Sequence, residues 1–183
     1  MKRSGTALVA GVLAGWAGAC GGGSTVAGPP PRAPATMTLR SPAFADGGTI
    51  PVVYTCAGRG LAPPLRWSGV PASARALALV MEDPDAPGGT FVHWVLVDLP
   101  PGTAALRGGA PPPPARALEN SFGRRGYGGP CPPEGDRPHH YVFRLYALDA
   151  PLRLAASTSP GDVRSAIGRH AIASGRLTGR FGR

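Results

Sequence analysis

Two short loops hold most of the side chains in this sequence that could do chemistry. The first is Asp83-Pro84-Asp85-Ala86-Pro87, with His93-Trp94 shortly after it. The second is Gly129-Pro130-Cys131-Pro132-Pro133, followed by His139-His140-Tyr141. The whole chain has 10 acidic residues and 4 histidines, and these loops take three of the histidines. Asp83 and Asp85 flank a proline that stiffens the turn, and alternation in an extended segment sets both on one side. His139 and Tyr141, also two apart, share a face. Gly129 lets backbone approach a ligand closely. A carboxylate beside an imidazole favours the charged ring, which then donates from both nitrogens. If the loops converge, they form a small pocket for an anion, a phosphate or a phospholipid head group.

Other chemistries fit less well. Asp83 and Asp85 could simply build an Asx-type turn. Asp and His could ligate zinc or iron, but no HxH or HExxH spacing supports a metal, and none is expected. Cys131 with His139 could form a nucleophilic pair, yet Cys131 sits among prolines, where no helix N-terminus lowers a thiol pKa. No GxSxG motif surrounds Ser121. A phosphate-ester hydrolase using an Asp–His acid and base is therefore the weakest functional reading. A protein-interaction or inhibitor module stands between it and the leading one, a non-enzymatic binding protein that needs no cofactor.

These loops must be held by short strands. Gly (28) and Pro (23) break the 183-residue chain often and argue against a helical bundle. Strands are expected at Ile50–Tyr54, Ala76–Met81, Phe91–Leu99 and Tyr141–Leu148, the last three rich in apolar or β-branched residues. Pro160–Ser174 reads as a helix capped by Ser159 and ended by Gly175, with Leu177–Phe181 a last short strand. With no regular strand–helix alternation, the fold class is mainly β, an antiparallel sandwich with a large central sheet and one or two short helices.

Lys2-Arg3 followed by the small and apolar run Thr6–Ala19 suits an export signal, and is too short to span a membrane comfortably. Cys20, preceded by Ala17-Gly18-Ala19 and followed by Gly21-Gly22-Gly23-Ser24, resembles a bacterial lipoprotein signal, with Cys20 as the lipidated residue. The expected organisation is a signal at 1–20, a flexible Gly/Pro/Ala linker at 21–36 and one domain at 37–183. The protein would be exported and anchored in the cell envelope, or otherwise released there. Cys56 and Cys131 remain as a candidate disulfide in an oxidising compartment. The net charge of +9 is carried almost wholly by arginine. Without zinc-finger spacing, a basic helix or an aromatic-interleaved basic strand, nucleic acid is not an expected partner.

The chain resembles the phosphatidylethanolamine-binding protein family, in its bacterial Raf-kinase-inhibitor-like branch. The matching pieces are GGTIPVVYTCAGRGLAPPLRWSGVP, DPDAPGGTFVHWVLVDLP, NSFGRRGYGGPCPP, HHYVFRLYALD and LTGRFGR, in family order. The resemblance implies a β-sandwich with an anion pocket at one end. Its residues would be Asp83, Asp85, His93, the Cys131-Pro132-Pro133 wall, His139 and Tyr141, with His140 pointing away. Eukaryotic relatives carry a C-terminal helix near the pocket. This chain stops soon after its last strand, so the resemblance implies a more open pocket here.

Overall fold

The computed structural model describes residues 24–108 and 111–183. In chain order the strands are β1 (Thr25–Val26), β2 (Ala35–Thr36), β3 (Thr38–Arg40), β4 (Leu65–Ser68), β5 (Ala76–Asp83), β6 (Thr90–Leu99), β7 (Ala105–Leu106), β8 (Arg116–Ala117), β9 (His139–Leu148) and β10 (Ala171–Phe181). The α-helix α1 covers Pro160–His170.

The apolar runs β5, β6 and β9 form the centre because both faces of their sheet are covered. Side chains alternate with period two. Leu77, Leu79, Met81, Tyr141, Phe143 and Leu145 face one way, and meet Leu39, Leu65 and Trp67 of a second sheet. Ala78, Val80, Val95, Val97, Tyr146 and Leu148 face the other way and pack on Val163 and Ile167 of α1. The large sheet has the order β1-β6-β5-β9-β10-β2, with β8 also on β6, and the small one has the order β3-β4-β7. Pairing is antiparallel except between β2 and β10, which run parallel. The expected mainly-β sandwich is the observed fold, with this one parallel pair added.

Several local expectations need correction. Ile50–Tyr54 is not a strand: Ile50 donates its N–H to Arg180, and Val52–Tyr54 turns as a 3-10 helix. Pro51 sets this entry, since it lacks the N–H a ladder needs. The helix ends at His170, not Ser174, because Ala171 is already extended and β10 pairs with β9. Gly175 is therefore a strand residue. A Cβ there would lie 2.8 Å from the Met37 carbonyl oxygen, so glycine permits a close backbone crossing. The remaining helix signals hold: Ser159 Oγ accepts from the Asp162 N–H at 3.2 Å, and Pro160 opens the first turn.

The expected linker at 21–36 is also corrected. Its described part carries β1, paired with Thr90 and Phe91, and β2, paired with Ala173 and Ser174. Thr and Val at 25–26 supply strand formers inside a Gly/Pro-rich stretch. Arg164 of α1 donates to the Gly28 carbonyl at 2.9 Å and fastens the segment between them. Cys20, the 1–20 signal and the start of the linker lie outside the described residues.

Candidate functional site

The site follows from register. β5 lies between β6 and β9, antiparallel to both. Asp83, the last residue of β5, pairs with Phe91, and Glu82 pairs with both Val92 and Val142. The end of β5, the start of β6 and the start of β9 thus meet at one edge of the sheet. Asp83, His93, His139 and Tyr141 sit at that edge. The two polar clusters, about fifty residues apart in the chain, do converge.

Asp83 makes two contacts. Its Oδ1 accepts the Asp85 N–H at 2.9 Å, an Asx turn, and its Oδ2 meets His139 Nδ1 at 2.8 Å. Both side chains are buried, each 4% exposed. The bond leaves Nε2 as the free polar atom of His139, with Asp136 Oδ2 at 3.7 Å. His93 is buried too, with Nδ1 placed 3.0 Å from the Gly128 carbonyl. Burial pushes its pKa below the ordinary value of 6.5, although the Gly128 carbonyl and the Asp83 charge pull the other way. His93 is therefore neutral at neutral pH, donates from Nδ1 and keeps a lone pair on Nε2. His93 thus differs from the charged, doubly donating ring expected of an imidazole beside a carboxylate.

Asp85 faces elsewhere. Its Oδ2 accepts from the His140 N–H at 2.8 Å and meets the His140 ring at 2.7 Å, and Arg137 lies 3.4 Å from Oδ1. Partial burial opposes its ionisation, yet the His140 bonds and the Arg137 charge hold its carboxyl below the ordinary 3.8. Asp85 thus clips the loop to β9 and does not line the cavity. His140 is exposed and outside the pocket, as the resemblance implies. Tyr141 is fully buried, its ring edge-on to His93 with centroids 5.2 Å apart. Its hydroxyl makes no well-formed hydrogen bond among the described residues, although the Cys131 backbone and the Asp83 carboxylate lie close to it. Burial first, and the nearby Asp83 charge next, push the phenol above its ordinary range, while the Cys131 backbone pulls it down.

A cavity of about 970 Å³ opens over Asp83, His93 and His139. Cys131, Pro132 and Pro133 form one wall, and Phe91, Ser121 and Phe122 another. The first wall is braced from behind. A Cys56–Cys131 disulfide closes a 75-residue separation, and the Cys56 N–H donates to Pro130 at 3.0 Å. Gly129 lies so close to Tyr54 and Thr55 that a Cβ would meet their backbone at 3.0 Å. Behind the second wall, Asn120 donates to the His93 and Gly126 carbonyls at 3.2 and 3.0 Å and accepts from the Phe122 N–H at 3.0 Å.

The family model described as phosphatidylethanolamine-binding protein matches residues 40–182. The chain belongs to the phosphatidylethanolamine-binding protein family. A Mycobacterium tuberculosis protein named as a lipoprotein, LppC, is 45% identical over 152 residues, covering 83% of this chain and 75% of that one. A UPF0098 protein of Methanothermobacter thermautotrophicus is 43% identical, covering 80% and 99%. Among solved structures, Escherichia coli YbcL, described as a member of the mammalian family, superposes with a TM-score of 0.77 at 31% identity, covering 81% and 99%. A homologue of the family from Chlamydia trachomatis gives 0.75 at 38% identity, covering 81% and 98%.

Of the eight residues anticipated for the pocket, Asp83, His93, Cys131, Pro132, Pro133 and His139 line the cavity. Tyr141 is buried behind it, and Asp85 lies outside it, turned to His140. Sequence reasoning missed Phe91, Ser121 and Phe122. The NSFG segment carried the family resemblance, but its irregular composition gave no period that would orient its side chains.

Proposed function

We propose that the protein is a non-enzymatic binding domain of the cell envelope that takes a phosphate-bearing small molecule or phospholipid head group in this cavity. The observation that carries the reading is the buried Asp83–His139 pair beside a neutral His93 on one cavity floor. The Asp83 contact at Nδ1 fixes the His139 ring with Nε2 left to meet the ligand, where a phosphate oxygen makes a charge-assisted contact. Neutral His93 offers the complementary lone pair. A phosphate that keeps one proton suits His93, because it can donate from one oxygen while its other oxygens stay free for further contacts. An ammonium or hydroxyl on the same ligand would also suit His93. The cavity is within the range that small-molecule sites occupy, and its mixed aromatic and proline walls leave the polar groups to fix orientation.

Export and lipid anchoring at Cys20 are supported by the sequence before it and by the likeness to LppC. A catalytic role has less support: the Ser121 hydroxyl on the cavity wall is occupied by accepting the Val92 N–H at 2.9 Å. Isothermal calorimetry with inorganic phosphate and phosphoethanolamine tests the reading. His139→Ala should lower affinity at least tenfold, as expected when a charge-assisted bond of about 1.5–3 kcal/mol is lost. Equal affinity in the two proteins would remove the hypothesis.

A further inference from the structure

The mouth of the cavity carries features that ligand binding inside it does not require. Phe122 is 42% exposed, one of three large apolar side chains so exposed among the described residues. It lies at the tip of the turn Phe122-Gly123-Arg124-Arg125, which is exposed throughout. The Arg124 guanidinium stacks over its ring, 5.0 Å from the centroid. Neither Arg124 nor Arg125 pairs with an acid among the described residues. On the opposite lip the charges largely balance: Glu134 meets Arg183, Asp85 meets Arg137 and His140, and Asp136 stays near His139.

The N-terminal end of the described chain comes to the same place. β1 pairs with the start of β6, Thr25 Oγ1 donates to the Gly88 carbonyl at 3.0 Å, and Ser24 and Thr25 line the mouth. Ser24 follows Cys20 by four residues. If Cys20 carries a lipid as proposed, four residues of chain, at most about 14 Å, would separate it from Ser24 at the mouth.

We propose that this mouth is a membrane-docking face: Phe122 enters the interface of an anionic bilayer, Arg124 and Arg125 meet its phosphates, and the cavity opens onto the lipid surface that anchors the protein. An exposed aromatic flanked by cations suits such a surface, where apolar burial and attraction to anionic lipid add together. The inference deepens the binding function proposed above and rests on it: the ligand would be taken directly from the bilayer.

Depth-dependent fluorescence quenching tests it. The full chain, with Phe122→Trp or Ser73→Trp, is reconstituted in vesicles of equal phosphatidylglycerol and phosphatidylcholine that carry brominated acyl chains. Ser73 is exposed just before β5, whose other end is Asp83. The signal each substitution adds to the unsubstituted chain is read. The tryptophan at 122 should lose about half its fluorescence or more, as a ring 5–10 Å into the interface would, and the one at 73 almost none. Arg124→Gln with Arg125→Gln, or vesicles of phosphatidylcholine alone, should cut the quenching at 122 at least threefold. Equal quenching at the two positions, or quenching at 73 alone, overturns the proposal. So does quenching at 122 that ignores both charge changes. Phosphate affinity, measured calorimetrically on the unsubstituted chain and on Ser73→Trp, separates the two ideas. Retained affinity without quenching would leave the pocket standing and the docking face refuted.

Discussion

Asp83 is the residue on which the site turns, because one carboxylate closes the Asp83–Asp85 turn and holds His139. Asp83→Ala would leave a buried imidazole without its acceptor, at a cost of about 1–3 kcal/mol in stability. Phosphate affinity should fall with it, a loss calorimetry would register alongside the lower melting temperature. Tyr141 makes the opposite case. Its buried hydroxyl makes no well-formed hydrogen bond among the described residues, only looser approaches to the Cys131 backbone and Asp83, so Tyr141→Phe should change stability by less than about 1 kcal/mol. Since it lies behind the cavity, phosphate affinity should change less than about threefold, short of the tenfold or more expected when a hydrogen bond to a charged ligand, about 1.5–3 kcal/mol, is lost. A tenfold loss on Tyr141→Phe would put the phenol in contact with the ligand.

The same residues set a pH dependence. His93 has its pKa depressed by burial, and Asp85 has its own depressed by His140 and Arg137. In both cases the unfolded chain binds the proton more readily than the folded one. Their stabilising contributions are full above the unfolded values and are lost on acidification: for His93 as pH falls below 6.5, and for Asp85 as it falls below 3.8. Denaturant midpoints should therefore decline from neutral pH downward. A midpoint that rises between pH 6.5 and 5 would contradict the buried neutral His93.

At the scale of elements, the cavity wall at 129–133 has no regular structure of its own and is held by what stands behind it. The Cys56–Cys131 bridge spans 75 residues, and its removal by Cys56→Ala with Cys131→Ala should cost about 4 kcal/mol on the chain-entropy account. Thermal unfolding would show that loss. Hydrogen exchange should quicken most at Cys56, whose N–H reaches Pro130 across the bridge. Gly175→Val tests a different joint, the crossing of β10 beneath Met37, and should cost about 1–3 kcal/mol through overpacking. The long strands were legible because β5, β6 and β9 are apolar runs of the right length, and the site residues because they cluster where those runs begin or end. The helix end at His170 was not legible. Gly175 looked like a stop signal, whereas its role is set by Met37, which is distant in sequence. β1 and β2 were hidden for a similar reason: each is two residues long and exists only through its partner strand.

At the scale of the molecule, the chain places its polar groups at one end of the sheet and its apolar mass between and around the sheets. Three strand ends meet there because β5 pairs on both sides, so the convergence is a property of the topology and not of the loops alone. The described N-terminal segment, from Ser24 through β1, returns to that end. Tandem dependence on the two imidazoles is the central claim: Nε2 of His139, held from behind by Asp83, and Nε2 of neutral His93 grip one phosphate. A crystal structure of the protein soaked with phosphoethanolamine tests it most directly. The account predicts phosphate oxygens within hydrogen-bond reach, about 2.6–3.2 Å, of both His139 Nε2 and His93 Nε2. Phosphate density bound elsewhere, with the space above Asp83, His93 and His139 left to water, would contradict it.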